Sequence, residues 1–267
     1  MRLESLGGPF GAEITGVDLS RPLDRGVVEP IVAALYEHLV VCIRRQKLSH
    51  AAFSAFGRQL GEPMVHVEKD LVVEQFPEVM TLSNADGRPE RQRNGGNHWH
   101  TDLVFTEKPA SFTMLNAIAV PRVGGETRFA DQCAAFDALP DELQTQAEKI
   151  TVAHCYEGRR DGSFPTVYHP LVRAHPVTGR KALYGANSTC IGIQGMKDRE
   201  AAAILGQYRD FALADSVQYH HQYEDDDLVI WDNAATLHTG PRLEPAGGGV
   251  DPRIMNRISV RGWPSVQ

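Results

Sequence analysis

Long apolar runs are missing from this sequence. No stretch approaches the ~20 consecutive apolar residues a membrane-spanning helix needs, and the start, Met1-Arg2-Leu3-Glu4-Ser5-Leu6, has no apolar run of signal-peptide length. Paired cysteines are missing too. The four present, Cys42, Cys133, Cys155 and Cys190, are widely spaced and form no C-x-x-C pair. That excludes a zinc knuckle or a disulfide framework and suits free thiols in a reducing cytosol. Positive charge is not in excess: 27 Lys and Arg against 34 Asp and Glu give a formal net charge of −7. A general nucleic-acid binder needs a basic surface, so that class is set aside, while a local basic pocket for a small anion is not. There is no internal repeat or low-complexity segment, and Pro245-Ala246-Gly247-Gly248-Gly249 is loop-sized. The expectation is a cytoplasmic protein of one domain over residues 1–267, with no membrane or nucleic-acid partner.

What is present is an ordinary globular composition, 42% hydrophobic and 23% charged, enough to bury a core and shape a deep pocket. Apolar spacing at Ile31, Leu35 and Leu39 predicts a helix within Val27 to Leu39, followed by a buried strand at Val40-Val41-Cys42-Ile43. Ser49 is placed to cap a helix from His50 to Leu60 that stops at Gly61. Another helix is expected from Asp198 to Leu213, and a weaker one from Gln132 to Ile150 that breaks or restarts at Pro140. Predicted strands are Phe112 to Ala119, Glu126 to Ala130, Ile150 to Cys155, Val217 to Tyr223, Asp227 to Trp231 and Asn256 to Arg261. Glu224-Asp225-Asp226 reads as a hairpin turn between two of them, solvated rather than calcium-binding. Helices early and strands late predict a mostly β fold, a sandwich or jelly roll with helices packed outside.

Chemistry concentrates in Asn97-His98-Trp99-His100-Thr101-Asp102. In an extended strand, residues two apart face the same way, so His100 and Asp102 would project together. His238 is the candidate third ligand. Two histidines and one carboxylate on one face leave open positions, the arrangement of non-haem Fe(II) oxygenases. Alone, H-x-D is weak, and a histidine beside a turn aspartate explains it as well. Downstream stand Gly124-Gly125-Glu126-Thr127 and Arg253-Ile254-Met255-Asn256-Arg257. An arginine fork suits a carboxylate, and a threonine hydroxyl adds one hydrogen bond.

With these, the stretch Gly11 to Leu19, His169-Pro170-Leu171-Val172, His175-Pro176 and Trp231-Asp232-Asn233 fall in one order over nearly the whole chain. In that combination the sequence resembles the taurine dioxygenase (TauD/TfdA-type) family of Fe(II)/2-oxoglutarate dioxygenases. The resemblance implies a double-stranded β-helix (jelly-roll) core. It implies Fe(II) bound by His100, Asp102 and His238, and 2-oxoglutarate held at its far carboxylate by Arg253 and Thr127. It implies O2-dependent hydroxylation of a small anionic substrate, such as a sulfonate, sulfate ester, carboxylate or amino-acid-like metabolite, with release of succinate and CO2. Arg257 and His66 match residues that contact the substrate anion in family members. Gly96 stands where sulfonate-type members have an asparagine, with Asn97 one residue away as its substitute. A homo-oligomer, dimer or tetramer, is implied as well.

Other readings compete. His98, His100 and Asp102 superficially match the H-x-H-x-D run of zinc hydrolases, although Leu103 stands where those carry a further histidine. His98 is otherwise assigned to a supporting or lid role. His220 and His221 are adjacent, so in a strand at most one points inward, and both are read as structural. Trp99 and Trp231 are read as core. Arg159, Arg160 and Tyr168 belong to a loop-like stretch that is either a lid or a solvated loop.

Overall fold

Four residues show how the molecule is layered. Val40–Ile43 is a strand as expected, and all four side chains are buried. Val41 and Ile43 pack with Ile31, Leu35, Phe53 and Phe56 on one side. Val40 and Cys42 pack with Phe129, Tyr219 and Trp231 on the other. A strand covered on both faces needs no polar alternation, which is why this one reads as a continuous apolar run.

The computed structural model describes residues 1–85, 87–156 and 161–262. Arg159 and Arg160 lie outside them. Val40–Ile43 belongs to a nine-stranded sheet ordered Arg2–Ser5, Ala12–Thr15, Val40–Ile43, Leu228–Asp232, Phe112–Ala119, Ile254–Gly262, Phe76–Ser83 and Val72–Val73, with Gly61–Met64 also pairing with Ile254–Gly262. A smaller sheet sets Thr127–Asp131 between Gln218–His221 and Thr236–Thr239. Between the two sheets lies the core of Val40, Cys42, Leu115, Phe129, Tyr219 and Trp231. Helices Arg25–His38 and His50–Leu60 cover the outer face of the large sheet. Helix Asp198–Ala212 and the short helices Gln132–Asp137 and Asp141–Ala147 lie beyond the small one. The protein is therefore mostly β-sheet with helices packed outside. The outer contact is substantial: truncating a ring as buried as Phe56 to alanine costs about 3–5 kcal/mol.

Several local expectations are met for the expected reasons. The Ser49 hydroxyl accepts the Ala52 N–H at 3.2 Å and starts the helix. Pro140 separates the two short helices as the N-cap of the second. Gly61 ends its helix for a different reason than capping. Its φ of 162° is extended, and it opens a strand so close to its neighbour that a Cβ would lie 1.7 Å from the Arg261 carbonyl oxygen.

Three features depart from expectation. Glu224-Asp225-Asp226 is not a hairpin turn, because Gln218–His221 belongs to the small sheet and Leu228–Asp232 to the large one. The segment carries the chain between layers. The strand Phe76–Ser83 was not expected: Pro77 near its start and the mixed sequence behind it hide the strand pattern. Tyr168 is a half-exposed residue of the strand Val167–Pro170, not part of a loop. None of the described helices is long and apolar enough to cross a membrane.

Candidate active site

Asp102 is buried, yet its carboxylate lacks full satisfaction. Oδ1 lies 3.6 Å from His100 Nε2, and Oδ2 lies 3.5 Å from His238 Nε2. Oδ2 accepts no hydrogen bond. One ligand atom from each of the three residues lies within 4.8 Å of the others. The expected extended strand does not produce this convergence. His100 makes a single antiparallel bridge with His238, through N–H···O contacts of 2.9 and 2.8 Å, and their rings come to 4.2 Å. The chain then turns, with Leu103 at φ 56°, and folds Asp102 back onto the two imidazoles. Asn233 holds that turn in place. Its Oδ1 accepts from the Asp102 N–H at 3.3 Å and from Trp231 Nε1 at 3.0 Å, while its Nδ2 donates to Thr113 Oγ1 at 2.9 Å. Beside Asn233 in the chain, Asp232 Oδ2 sits 2.7 Å from His175 Nε2, so the Trp231-Asp232-Asn233 run serves as the site's frame.

Protonation follows from these contacts. His100 Nδ1 is 2.6 Å from the His98 carbonyl oxygen, which can only accept. Nδ1 therefore carries a proton, which leaves Nε2, on the Asp102 side, as the nitrogen that could serve a metal. Burial, reinforced by His100, keeps His238 neutral by holding its pKa well below the usual range. Burial opposes ionisation of Asp102 as well, but the Arg257 guanidinium and the two imidazoles outweigh it and hold the carboxyl well below its usual range. Two imidazoles and one ionised carboxylate with an orphaned oxygen form a donor set that fits a divalent cation with positions to spare.

A cavity opens from this point, and its walls carry two arginines. Arg253 is buried, and burial lowers its pKa without removing its charge. Its Nε donates to the Gly125 carbonyl at 2.9 Å, and the guanidinium lies 5.7 Å from the Tyr223 ring. No carboxylate pairs with it among the described residues. Gly125 must be glycine: its φ is +81°, and a Cβ would sit 2.6 Å from Pro121. Thr127 lines the same wall, and its Oγ1 accepts from the Tyr223 hydroxyl at 2.9 Å. Arg257 is placed differently, its Nη2 reaching Asp102 Oδ1 at 2.6 Å and Ser259 Oγ at 3.1 Å. His66 lines the cavity too. Burial, with Arg257 second, lowers its pKa to about 4, so it is neutral, and its Nδ1 accepts the Glu68 N–H at 3.1 Å.

The structure thus gathers His66, His100, Asp102, Thr127, His238, Arg253 and Arg257 around one cavity. Asn97 is not among them. Its side chain is exposed and lines a neighbouring depression. His98 borders the cavity, its ring 4.8 Å from that of His100, but it is not in the ligand cluster. A second cluster, Cys42, His221 and Asp227, is buried between the sheets. Its carboxylate already holds Arg44, and His220 points out where His221 points in, as alternation requires.

The sequence matches the model of the taurine catabolism dioxygenase TauD, TfdA family over residues 2–259. The chain belongs to that family. An alpha-ketoglutarate-dependent sulfate ester dioxygenase from Pseudomonas putida is 33% identical, covering 96% of this chain and 87% of the relative. An alpha-ketoglutarate-dependent 2,4-dichlorophenoxyacetate dioxygenase from Cupriavidus pinatubonensis is 31% identical, covering 88% and 90%. Among solved structures, AAD-2 in complex with Mn(II) and N-oxalylglycine superposes with a TM-score of 0.86 at 28% identity, covering 98% and 97%. A taurine dioxygenase from Burkholderia xenovorans gives 0.82 at 30% identity, covering 100% and 92%. This family member is an Fe(II)- and 2-oxoglutarate-dependent dioxygenase that uses O2 and acts on a small molecule. Nothing in the relatives supports the zinc hydrolase reading.

Sequence reasoning missed three contributors in this dioxygenase. Asn233 was noted only as part of a motif, and its stapling role depends on contacts across the chain. Glu68 joins Tyr156 and Arg91 at the cavity wall, accepting from each at 2.7 Å. Tyr223 touches both Thr127 and Arg253. The two-residue spacing of Tyr219, His221 and Tyr223 was the available signal for it, although the strand itself ends at His221.

Proposed function

We propose that His100, Asp102 and His238 hold the iron, that Arg253 and Thr127 hold the far carboxylate of 2-oxoglutarate, and that the enzyme hydroxylates a small organic anion met by Arg257 and His66. One observation carries this reading: a single cavity contains a carboxylate oxygen orphaned between two imidazoles and a buried guanidinium with no acid partner among the described residues. A buried charge of either sign is costly unless something completes it. When bound, the iron supplies the centre at which O2 and 2-oxoglutarate are turned to an oxidant, succinate and CO2.

The chain's own residues bind, orient and exclude water. The His98 carbonyl keeps the His100 proton on Nδ1. Arg253 and Thr127 fix one end of the dicarboxylate so that its other end reaches the metal ligands. Arg257 and His66 orient the substrate anion. Leu71, Met80, Leu82, Phe105 and Leu243 line the remainder of the cavity and suit a hydrocarbon or aryl body. An anion with an apolar body is also what the sulfate ester and dichlorophenoxyacetate relatives are named for. Asn97, on the exposed neighbouring surface, is left out of the substrate contacts.

The same reading takes the two facing sheets as a double-stranded β-helix and residues 1–267 as one domain. Its four buried free thiols support work in the cytoplasm. A dimeric or tetrameric state rests on the family resemblance. The test of substrate class is a panel of alkyl sulfate esters, aryloxyalkanoates and small sulfonates, assayed for substrate-dependent succinate with iron and 2-oxoglutarate supplied. Stimulation by the anions with apolar bodies is expected. Stimulation only by neutral or cationic compounds would refute the anion assignment.

A further inference from the structure

Tyr223 lies behind the cavity wall and does not line it, whereas Thr127 does. The two hydroxyls are 2.9 Å apart. Two hydroxyls in contact share one proton, and the other proton must point elsewhere. Tyr223 makes no other hydrogen bond among the described residues, and burial raises its pKa to about 12, so it stays protonated. Thr127 has the open cavity on its far side. The satisfying arrangement is therefore Tyr223 donating to Thr127 and Thr127 presenting its own proton to the cavity. The Tyr223 ring also faces the Arg253 guanidinium at 5.7 Å. His221, the last residue of its strand, pairs opposite Thr127, and Tyr223 lies two residues beyond that strand end.

We propose that Tyr223 is a positioning residue of the 2-oxoglutarate clamp. It locks the Thr127 hydroxyl as a donor toward the far carboxylate and backs the Arg253 guanidinium with its ring. This inference rests on Arg253 and Thr127 forming that clamp.

The test is equilibrium binding of N-oxalylglycine to the Mn(II)-loaded protein by calorimetry, beside steady-state kinetics. Tyr223→Phe keeps the ring and removes the hydroxyl. It is expected to weaken N-oxalylglycine and raise the KM for 2-oxoglutarate about 5- to 10-fold, with kcat at saturation within about twofold. Oxalate, which lacks the far carboxylate, is expected to bind wild type and Tyr223→Phe equally. Thr127→Val is expected to lose as much as Tyr223→Phe, and the double variant no more than Thr127→Val alone, because Tyr223 acts through Thr127. Additive losses, an equal loss for oxalate, or unchanged N-oxalylglycine affinity in Tyr223→Phe would overturn the proposal. If Arg253→Gln and Thr127→Val also leave N-oxalylglycine affinity unchanged, the clamp assignment fails with it. If they weaken binding and Tyr223→Phe does not, only the role of Tyr223 fails.

Discussion

Arg253 and Arg257 stand four residues apart, face one cavity and have opposite electrostatic surroundings. Arg257 is paired with Asp102 inside the protein. Arg253 is more deeply buried, held by a carbonyl and an aromatic face, with no acid in ion-pair contact among the described residues and only the more distant Glu126 acting on its charge. An unpaired buried cation is stabilised only when a ligand brings the missing charge. A paired one offers a ligand less, because the newcomer must share the guanidinium with a carboxylate already there. The difference is what supports proposing Arg253 for the obligatory cosubstrate and Arg257 for a variable anion. It also ties the substrate side of the cavity to the metal side, since the partner of Arg257 is itself a proposed ligand.

The comparison breaks most completely at Asp102. Asp102→Ala removes a proposed metal ligand and the partner of Arg257 together, and substrate-dependent succinate release should fall by more than about 100-fold. His100→Ala should match it. Undiminished turnover in either variant would remove that residue from the metal set.

Next in size is Arg253→Gln. Truncating one side of a buried charge pair costs about 2–5 kcal/mol, so the 2-oxoglutarate concentration needed for half-maximal rate should rise roughly 100-fold, with the substrate requirement little changed. An unaltered 2-oxoglutarate requirement would place the clamp elsewhere. Arg257→Gln should show the mirrored pattern at smaller amplitude, about 10-fold in substrate KM and less than about threefold in 2-oxoglutarate. If both variants affect the same ligand, the division of labour between the arginines is wrong.

How much of this was legible beforehand differs by region. The convergence of His100, Asp102, His238, Arg253 and Arg257 on one cavity was readable because their chemistry is unusual at fixed spacing. The strand Val40–Ile43 and the Ser49-capped helix were readable because their signals are local. The turn at Leu103 was not, since a non-glycine residue at positive φ leaves no mark in composition. Asn97 looked like a substitute for a missing asparagine, but one residue of displacement moves a side chain to the outer surface. The Glu224 to Asp226 segment looked like a hairpin because both flanking strands were correct and only their partners were distant. Partnering across layers is set by packing, as the Asn233 staple also shows.

The smallest expected effect concerns His66 beside Arg257. Burial, then Arg257, lowers its pKa to about 4, below the ordinary value of 6.5. Between those values the unfolded chain takes up a proton that the folded protein refuses, so stability should fall as pH drops through that window. In metal-free protein, His66→Gln should lessen the fall, by roughly a few degrees in Tm near pH 4.5. Parallel Tm-versus-pH curves for variant and wild type would contradict the assigned surroundings of His66.

The most direct measurement is anomalous diffraction from crystals of the protein grown with Mn(II) and N-oxalylglycine. The expected result is one metal peak within bonding distance of His100 Nε2, the Asp102 carboxylate and His238 Nε2, with the far carboxylate of N-oxalylglycine on Arg253. A peak at His98 or in the Cys42, His221 and Asp227 cluster instead, or a far carboxylate seated on Arg257, would contradict it.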